Sequence, residues 1–370
     1  MSEMTEMTEM TMAGDAAASK PERPSAPTTE RPTVLDVQDL TVEFGDKKGR
    51  IRVVDQVSFS VRAGETLGLV GQSGSGKSMT ALSLMGLLRR DRRAHVSGRA
   101  MFEGVNLIGI PEREGAKLRG SRISMVFQDP MSSLNPVYSV GEHIAETVRR
   151  HKKLSRGLAR AEAIRLLDLV GIPGAARRVG SYPHEFSGGM RQRVMMAMAV
   201  SCDPALLIAD EPTTALDVTV QAQILELLRM LQSEFGMSIL FITHDLAVVA
   251  DICDRVAVMY AGQLTETSDA FAIFDQPLHP YTEALLCSTP EYLGLGERTR
   301  SGTGAFPKVG CRFAPRCPHT LEPCTTADIA LSLHPQTDDH QVRCVRAEEL
   351  KLESATSLWA RATEGEPTHE

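Results

Sequence analysis

Residues 71–78 constrain this chain more than any other stretch, because they fit G-x-x-x-x-G-K-S/T, the loop that cradles nucleotide phosphates. A triphosphate is bulky and charged, so the backbone must approach it closely with its N–H groups pointing inward. Glycine permits such a turn because it lacks a Cβ, and a helix starting behind the loop adds its positive end. The residues that we predict to contact the nucleotide here are Gly71, Ser73, Gly74, Ser75, Gly76, Lys77, Ser78 and Met79.

The residues on either side support this interpretation. Residues 65–70 predict a short buried strand, and residues 79–88 predict a helix. Lys77 is expected to reach the β- and γ-phosphates, and the Ser78 hydroxyl to ligate Mg²⁺. A glycine-rich turn without function is the alternative, but a strand before the loop and a helix after it favour an α/β P-loop domain that binds ATP.

Length and charge narrow the class of protein. A chain of 370 residues predicts two domains, and 42% apolar content is that of a globular protein. We find no apolar run of about 18–20 residues and no secretory signal at the N-terminus, so we expect a cytoplasmic protein. The net charge is −7; residues 1–33 contribute −3 and residues 351–370 contribute −2, which leaves −2 for the body. A nearly neutral body argues against nucleic acid as a partner.

Three further apolar runs end in polar residues. Residues 123–127 lead to Gln128, residues 205–209 lead to Asp210 and Glu211, and residues 238–242 lead towards His244. Ligands of parallel α/β sheets bind at the carboxyl ends of the strands. One carboxylate can hold Mg²⁺ while the next orients an attacking water. A lone histidine is more often structural, but a position at the same sheet edge favours a functional role for His244.

Two local signals are weaker. Phe44 lies on a predicted β-ribbon and could stack on an adenine base, or be an ordinary aromatic residue of a sheet. Ser187, Gly188 and Gly189 precede a predicted helix, where they suit anion binding, although such a sequence alone is usually just a turn.

Taken together, these residues resemble the ATPase subunit of ATP-binding-cassette (ABC) transporters over about residues 34–350. The resemblance assigns residues 71–78 to Walker A, Gln128 to the Q-loop, residues 186–190 to the signature, residues 206–210 to Walker B, Asp217 to the D-loop and His244 to the switch histidine. It implies an α/β P-loop NTPase fold: a RecA-like core, an antiparallel β subdomain, a helical subdomain at about 129–190 and a small C-terminal extension.

The resemblance also implies a mechanism. Ser78, Gln128 and Asp210 would organise Mg²⁺, Glu211 would polarise the attacking water, and His244 would contact the γ-phosphate. Lys77 and the loop amides would hold the phosphates. In the family, Ser187, Gly188 and Gly189 close over the ATP that is bound to a partner subunit.

Residues 127–136, 186–193, 214–221 and 279–286 resemble the oligopeptide/dipeptide importer branch of this family. The signature has Phe186 and Met190 at its ends, which is typical of one of two paired ATPases. This implies a sister ATPase subunit, two transmembrane permease subunits and an extracytoplasmic substrate-binding protein. Importers of nickel, glutathione or oligosaccharides remain alternatives. A non-transport ABC ATPase is a further one, although such proteins usually carry two cassettes or a long coiled coil.

We divide the chain into a disordered tail (1–33), an ATPase domain (34–265), an extension (266–350) and a flexible tail (351–370). Within the extension, four cysteines follow C-x5-C-x6-C-x19-C among prolines and glycines: Cys311, Cys317, Cys324 and Cys344. Four thiolates can hold a 4Fe–4S cluster or Zn²⁺. The tight C-x2-C spacing common in zinc sites is absent, and some members of the importer branch carry an iron–sulfur cluster here, so we favour that cluster.

Overall fold

The computed structural model describes residues 31–46, 49–129, 133–214, 216–287, 306–307 and 309–358. Most of the predicted N-terminal tail, residues 1–30, lies outside the described residues, and so do residues 359–370 of the predicted C-terminal tail. The first strand already begins at Thr33.

Strands and alternating helices make up the described chain. The strands are β1 (Thr33–Asp46), β2 (Gly49–Arg62), β3 (Thr66–Val70), β4 (Ala94–Phe102), β5 (Val105–Asn106), β6 (Ile123–Val126), β7 (Leu206–Asp210), β8 (Ser238–Thr243), β9 (Arg255–Tyr260), β10 (Gln263–Asp269), β11 (Ser332–Leu333) and β12 (Gln341–Val342). The helices are α1 (Lys77–Leu84), α2 (Glu112–Leu118), α3 (Val140–Lys152), α4 (Arg156–Leu169), α5 (Ala175–Arg178), α6 (Gly188–Val200), α7 (Val218–Phe235), α8 (Leu246–Ile252), α9 (Ala270–Asp275), α10 (Pro280–Leu286) and α11 (Pro323–Thr326).

The main sheet has the strand order β11-β12-β10-β9-β3-β8-β7-β6. Strands β9, β3, β8, β7 and β6 run parallel, and β10, β12 and β11 add antiparallel strands at one edge. Every residue of β3, β7 and β8 is buried. Continuous apolar runs are what a sheet covered on both faces requires, so the predicted strand interpretation of these runs is correct.

Alternate residues of these strands face different cores. Leu69, Ile208 and Leu240 pack with the second sheet, which is antiparallel and has the order β2-β1-β4-β5. Leu207 and Ile239 belong to the core that the helices cover. The main sheet is thus sandwiched between a small β layer and the helices.

The segment between β6 and β7 is largely helical and contains α3 to α6. Ser139 starts α3 with a capping box: its hydroxyl accepts from the Glu142 amide, and Glu142 accepts from the Ser139 amide at 2.8 Å. Ile144 and Leu166 of this segment are fully buried in the helix-covered core.

The extension continues the main sheet. The predicted boundary at residue 265 falls inside β10, and β12 pairs with β10. Residues 351–358, predicted as part of a flexible tail, lie on the folded body instead, because Leu358 is fully buried and the Glu353 amide donates to Glu283 at 2.7 Å.

Among the described helices, we find none with the length and apolar character needed to cross a membrane.

Candidate functional site

The P-loop joins β3 to α1, as predicted, and packs tightly against neighbouring strands. A Cβ on Gly71 would lie 2.1 Å from the carbonyl oxygen of Met259 in β9, and one on Gly76 would lie 2.7 Å from the carbonyl oxygen of Val53 in β2. Gly76 also has a φ of +107°, in the region that favours glycine. Close approach by other backbone segments therefore requires glycine at both positions.

Lys77 is buried at the start of α1, and its ammonium group bonds the loop itself. Nζ donates to the carbonyl oxygens of Gly71 at 2.5 Å and Gln72 at 3.1 Å. Burial lowers the pKa of Lys77, and the nearby carboxylates of Glu211 and Asp210 oppose that shift. The ammonium group thus lies inside the loop, where phosphate oxygens can replace the two carbonyls as acceptors.

Ser78 and Asp210 meet beside the loop. The Ser78 hydroxyl donates to Oδ1 of Asp210 at 3.1 Å. Burial raises the pKa of Asp210; its bond from Ser78 and the charge of Lys77 oppose that rise, and the charge of Glu211 adds to it. A hydroxyl and a carboxylate are hard oxygen ligands, so this pair fits Mg²⁺.

Glu211 lies at the centre of a polar cluster just beyond β7. Gln128 Nε2 donates to Oε2 at 2.8 Å, the Thr214 hydroxyl donates to the same oxygen at 2.9 Å, and His244 Nδ1 lies 3.2 Å from Oε1. Glu211 has a φ of +47°, and its amide donates to the Ile242 carbonyl at 2.9 Å. A non-glycine residue held in this conformation is a feature of functional sites. The ends of β6, β7 and β8 thus bring three predicted residues together.

The signature residues lie elsewhere. The Ser187 hydroxyl caps α6 by accepting from the Met190 amide, and a Cβ on Gly189 would lie 2.7 Å from Val220 of α7. Gly188 faces Leu216. Among the described residues, no hydrogen bond joins Ser187 to Lys77 or to Glu211.

Phe44 lies on β1 and is half-buried against the core that the small sheet covers, as is Met79 of α1. Two residues before Phe44, Val42 pairs with Val54, whose methyl group would lie 3.5 Å from a Cβ on Gly76. Phe44 is therefore on a strand that runs past the P-loop, and its stacking on adenine stays a prediction.

One partner of the P-loop was not predicted. The Tyr281 hydroxyl, from the extension, accepts from the Gln72 amide at 2.9 Å. Nearby, Arg316 Nη1 lies 3.4 Å from Gln72 Oε1. The motif at residues 279–286 contains Tyr281, but no local signal links it to a loop 209 positions earlier.

The four extension cysteines line one cavity of about 20 Å³, together with His279. Cys311 Sγ lies 3.8 Å from His279 Nε2, and the Leu321 amide donates to Cys324 Sγ at 3.5 Å. Burial raises the pKa of Cys311 to about 11 and that of Cys344 to about 12. The fold therefore brings together the four thiols that their spacing in the sequence identified as candidate metal ligands.

These thiols are not arranged as a finished metal site. Within the part of the chain that the structure describes, no group of three or more His, Cys, Asp or Glu side chains has the geometry to hold a metal ion. The four thiols share one cavity, but they are not directed at a common metal position.

Comparison with known proteins adds two family matches. Residues 54–214 match the ABC transporter family, and residues 265–324 match the C-terminal region of oligopeptide/dipeptide transporters. The chain is 53% identical over 299 residues to the oligopeptide transport ATP-binding protein OppD of Escherichia coli, covering 80% of this chain and 88% of that protein. It is 48% identical over 316 residues to the dipeptide transport ATP-binding protein DppD of E. coli (84% and 96% covered). It is 48% identical over 322 residues to the oligopeptide transport ATP-binding protein AppD of Bacillus subtilis (86% and 98% covered).

Solved structures agree on the fold. A dimeric post-hydrolysis state of the ATP-binding cassette MJ0796, bound to ADP and Pi, superposes with a TM-score of 0.57 at 24% identity, covering 64% of this chain and 98% of that one. The cbiO1 protein of Clostridium perfringens, part of the ABC transporter complex cbiONQ, gives 0.56 at 29% identity, covering 66% and 91%. The predicted α/β P-loop fold is confirmed.

Proposed function

This chain belongs to the ABC transporter family as an ATPase of the oligopeptide/dipeptide importer type, and we propose that it hydrolyses ATP to power import of di- or oligopeptides across the cytoplasmic membrane. The observation that carries the proposal is the convergence of Gln128, Glu211 and His244 at the strand ends of the sheet that holds the P-loop. The match of the extension to peptide transporters supports the substrate class.

We assign the roles from the contacts. Lys77 would bind the β- and γ-phosphates in place of its two loop carbonyls. Ser78, Asp210 and Gln128 would hold Mg²⁺, which supplies charge neutralisation at the phosphates. Glu211 would act as the base that orients the attacking water, and His244 would contact the γ-phosphate. Phosphoryl transfer depends on such positioning and on charge stabilisation more than on covalent help.

The signature needs a second subunit under this proposal. Ser187, Gly188 and Gly189 lie on the helical side of the chain, and they would complete a nucleotide site on a sister ATPase. The isolated chain should then remain a monomer with weak activity. Light scattering of the purified chain with ATP and Mg²⁺ tests this pairing, and a stable, fully active homodimer would contradict it.

Two permease subunits would dock on the helical side, at the cytoplasmic face of the membrane, with the binding protein reached through the complex. After the Gln128 loop, Val137 is 74% exposed and Tyr138 is 48% exposed. A cleft between the end of α1 and α3 is lined by Arg89, Arg90, Arg119 and Arg150, together with His151 and the carboxylates of Glu112 and Glu146. Exposed apolar residues such as Val137 and Tyr138 suit a docking surface for a protein partner.

The cysteine cavity supports one more proposal, that Cys311, Cys317, Cys324 and Cys344 hold a 4Fe–4S cluster, with Zn²⁺ as the alternative. This proposal is supported by four thiols around one cavity and by the Leu321 amide directed at Cys324 Sγ, a kind of contact that tunes cluster sulfurs; the thiols would have to move closer together to hold the metal. The cluster would order the extension, which has few strands of its own.

Uptake measurements test the proposed substrate. Cells that carry the chain with its transporter partners should take up a radiolabelled tripeptide, and Lys77→Ala should abolish this uptake. Lys351→Ala, which removes an exposed lysine that is not part of the loop, is the matched control. If Lys77→Ala removes uptake of nickel, glutathione or an oligosaccharide and leaves peptide uptake intact, the peptide assignment is wrong.

A further inference from the structure

Side chains of the extension contact the P-loop at Gln72, the second residue of the motif at residues 71–78. The Tyr281 hydroxyl accepts from the Gln72 amide at 2.9 Å, and Arg316 donates to the Gln72 side chain at 3.4 Å. Both extension residues are more than 200 positions from Gln72 in the chain. The start of the loop is therefore held by a part of the protein outside the cassette core.

Tyr281 is buried in a cluster of aromatic rings, with its hydroxyl bonded to the loop. It is 1% exposed, and its ring lies 4.5 Å from that of Tyr260 and 5.4 Å from that of Phe313, measured between centroids. At its backbone, the Tyr281 amide donates to His279 Nδ1 at 3.0 Å. A buried hydroxyl in a rigid cluster forms a stronger and more directional support than a solvated one.

A second contact to the loop comes from the turn between β9 and β10. The amide of Gly262, in the turn between β9 and β10, donates to the Ser75 carbonyl at 2.8 Å. The same turn is bonded by the extension residue Arg312, which donates to the carbonyl of Ala261 and to Asp55. The extension thus contacts the loop directly at Gln72, and it also bonds the turn whose amide contacts the loop at Ser75.

We propose that the extension positions the P-loop for ATP, with Tyr281 as the principal positioning residue. A glycine-rich loop loses much conformational freedom when it binds phosphate. A loop that is already held in place has less freedom to lose, so it binds its ligand more tightly. The inference rests on the proposed ATP site and adds that its affinity is set in part by residues of the peptide-transporter extension.

Tyr281→Phe tests this, because it removes the hydroxyl and keeps the ring packing. With the full chain, we expect the Kd for a fluorescent ATP analogue to rise roughly 3- to 10-fold, the range expected for losing one buried hydrogen bond. In the assembled transporter KM for ATP should rise and kcat at saturating ATP should stay within about twofold, since only binding is affected. Tyr260→Phe is the matched control: it removes a hydroxyl from the same ring cluster without touching Gln72.

Hydrogen exchange of the Gln72 backbone amide distinguishes a positioning role of Tyr281 from an effect on the overall stability of the protein. Exchange at Gln72 should accelerate in Tyr281→Phe and stay unchanged in Tyr260→Phe. Equal Kd values and equal Gln72 exchange in Tyr281→Phe and the parent protein would overturn the proposal. Arg316→Gln provides a second variant should Tyr281→Phe not fold, and we expect a weaker effect of roughly twofold on Kd; no change there would then count against the proposal. If the parent chain binds no ATP at all, the proposed function fails instead.

Discussion

Gln128 and Glu211 lie 83 positions apart, yet Nε2 of Gln128 donates a 2.8 Å hydrogen bond to Oε2 of Glu211. The bond uses the amide nitrogen of Gln128, so under the proposed function its Oε1 is left to ligate Mg²⁺. The carboxylate of Glu211 has further lone pairs for the attacking water, so the two residues can act while they are bonded. The chain that follows Gln128 leads to the exposed Val137 and Tyr138, which links this pair along the chain to the proposed docking surface.

Glu211→Gln should leave ATP binding intact and slow hydrolysis by about 10²-fold or more, as expected for the loss of a positioned base. The substitution keeps the side-chain shape and removes its charge. Steady-state phosphate release by the assembled transporter measures the effect. Glu226→Gln, on the exposed face of α7, is the matched control and should hydrolyse ATP normally. Near-normal turnover by Glu211→Gln would refute the assignment.

Glu266→Gln should destabilise the protein by about 2–4 kcal/mol, because this fully buried carboxylate accepts from many donors. Its oxygens accept from the amides of Leu278 at 2.7 Å and His279 at 3.0 Å, from His340 Nε2 at 2.7 Å and from the Thr282 hydroxyl. A carboxamide would place its own N–H groups against these donors.

The measurement is the midpoint of thermal unfolding, compared with that of Glu349→Gln. Glu349 is an exposed member of an ion pair with Arg346, so its loss should change the midpoint little. Equal midpoints for the two variants would show that Glu266 does not hold the extension to the sheet.

Cys317→Ser should bleach the visible absorption of protein purified without oxygen and lower its iron and sulfide content, while ATP binding at Lys77 is largely kept. Cys317 is buried in the cysteine cavity, and a serine hydroxyl does not replace a thiolate ligand of iron. Cys202→Ser, far from the cavity lining, is the matched control and should keep the colour. A colourless parent protein with stoichiometric zinc, or with no metal, would overturn the iron–sulfur proposal.

In metal-free protein, Cys311 and Cys344 should resist alkylation by iodoacetamide near neutral pH. Burial raises their pKa values to about 11 and about 12, above the ordinary range for a thiol. A thiol with a raised pKa keeps its proton to higher pH. At pH 8, about one in a thousand or fewer of these cysteine side chains is therefore in the reactive thiolate form. Labelling followed by mass spectrometry should show rates that still climb between pH 8 and pH 10. Rates that level off below pH 9 would contradict the protected environment of these thiols.

The local features of the nucleotide site could be predicted from the sequence. The spacing of glycines in residues 71–78 is enough to predict a phosphate loop, because the turn depends on backbone freedom within eight residues. The apolar runs that end at Gln128, Asp210 and Thr243 predict buried parallel strands, and the carboxyl ends of such strands meet at one edge by geometry. Polar residues after these strands were therefore predicted to cluster, and Gln128, Glu211 and His244 do.

The tertiary structure alone decided which distant side chains hold that site in place. Tyr281 lies within a short motif that has no chemical signature of its own. Its role arises because β9, β10 and the extension fold back beside β3 and bring its hydroxyl to the Gln72 amide. Glu266 is likewise an unremarkable acid in β10 until four donors from two later segments surround it. Contacts of this kind depend on strand order and on the path of the chain between strands, and no pattern within a few residues encodes either of them.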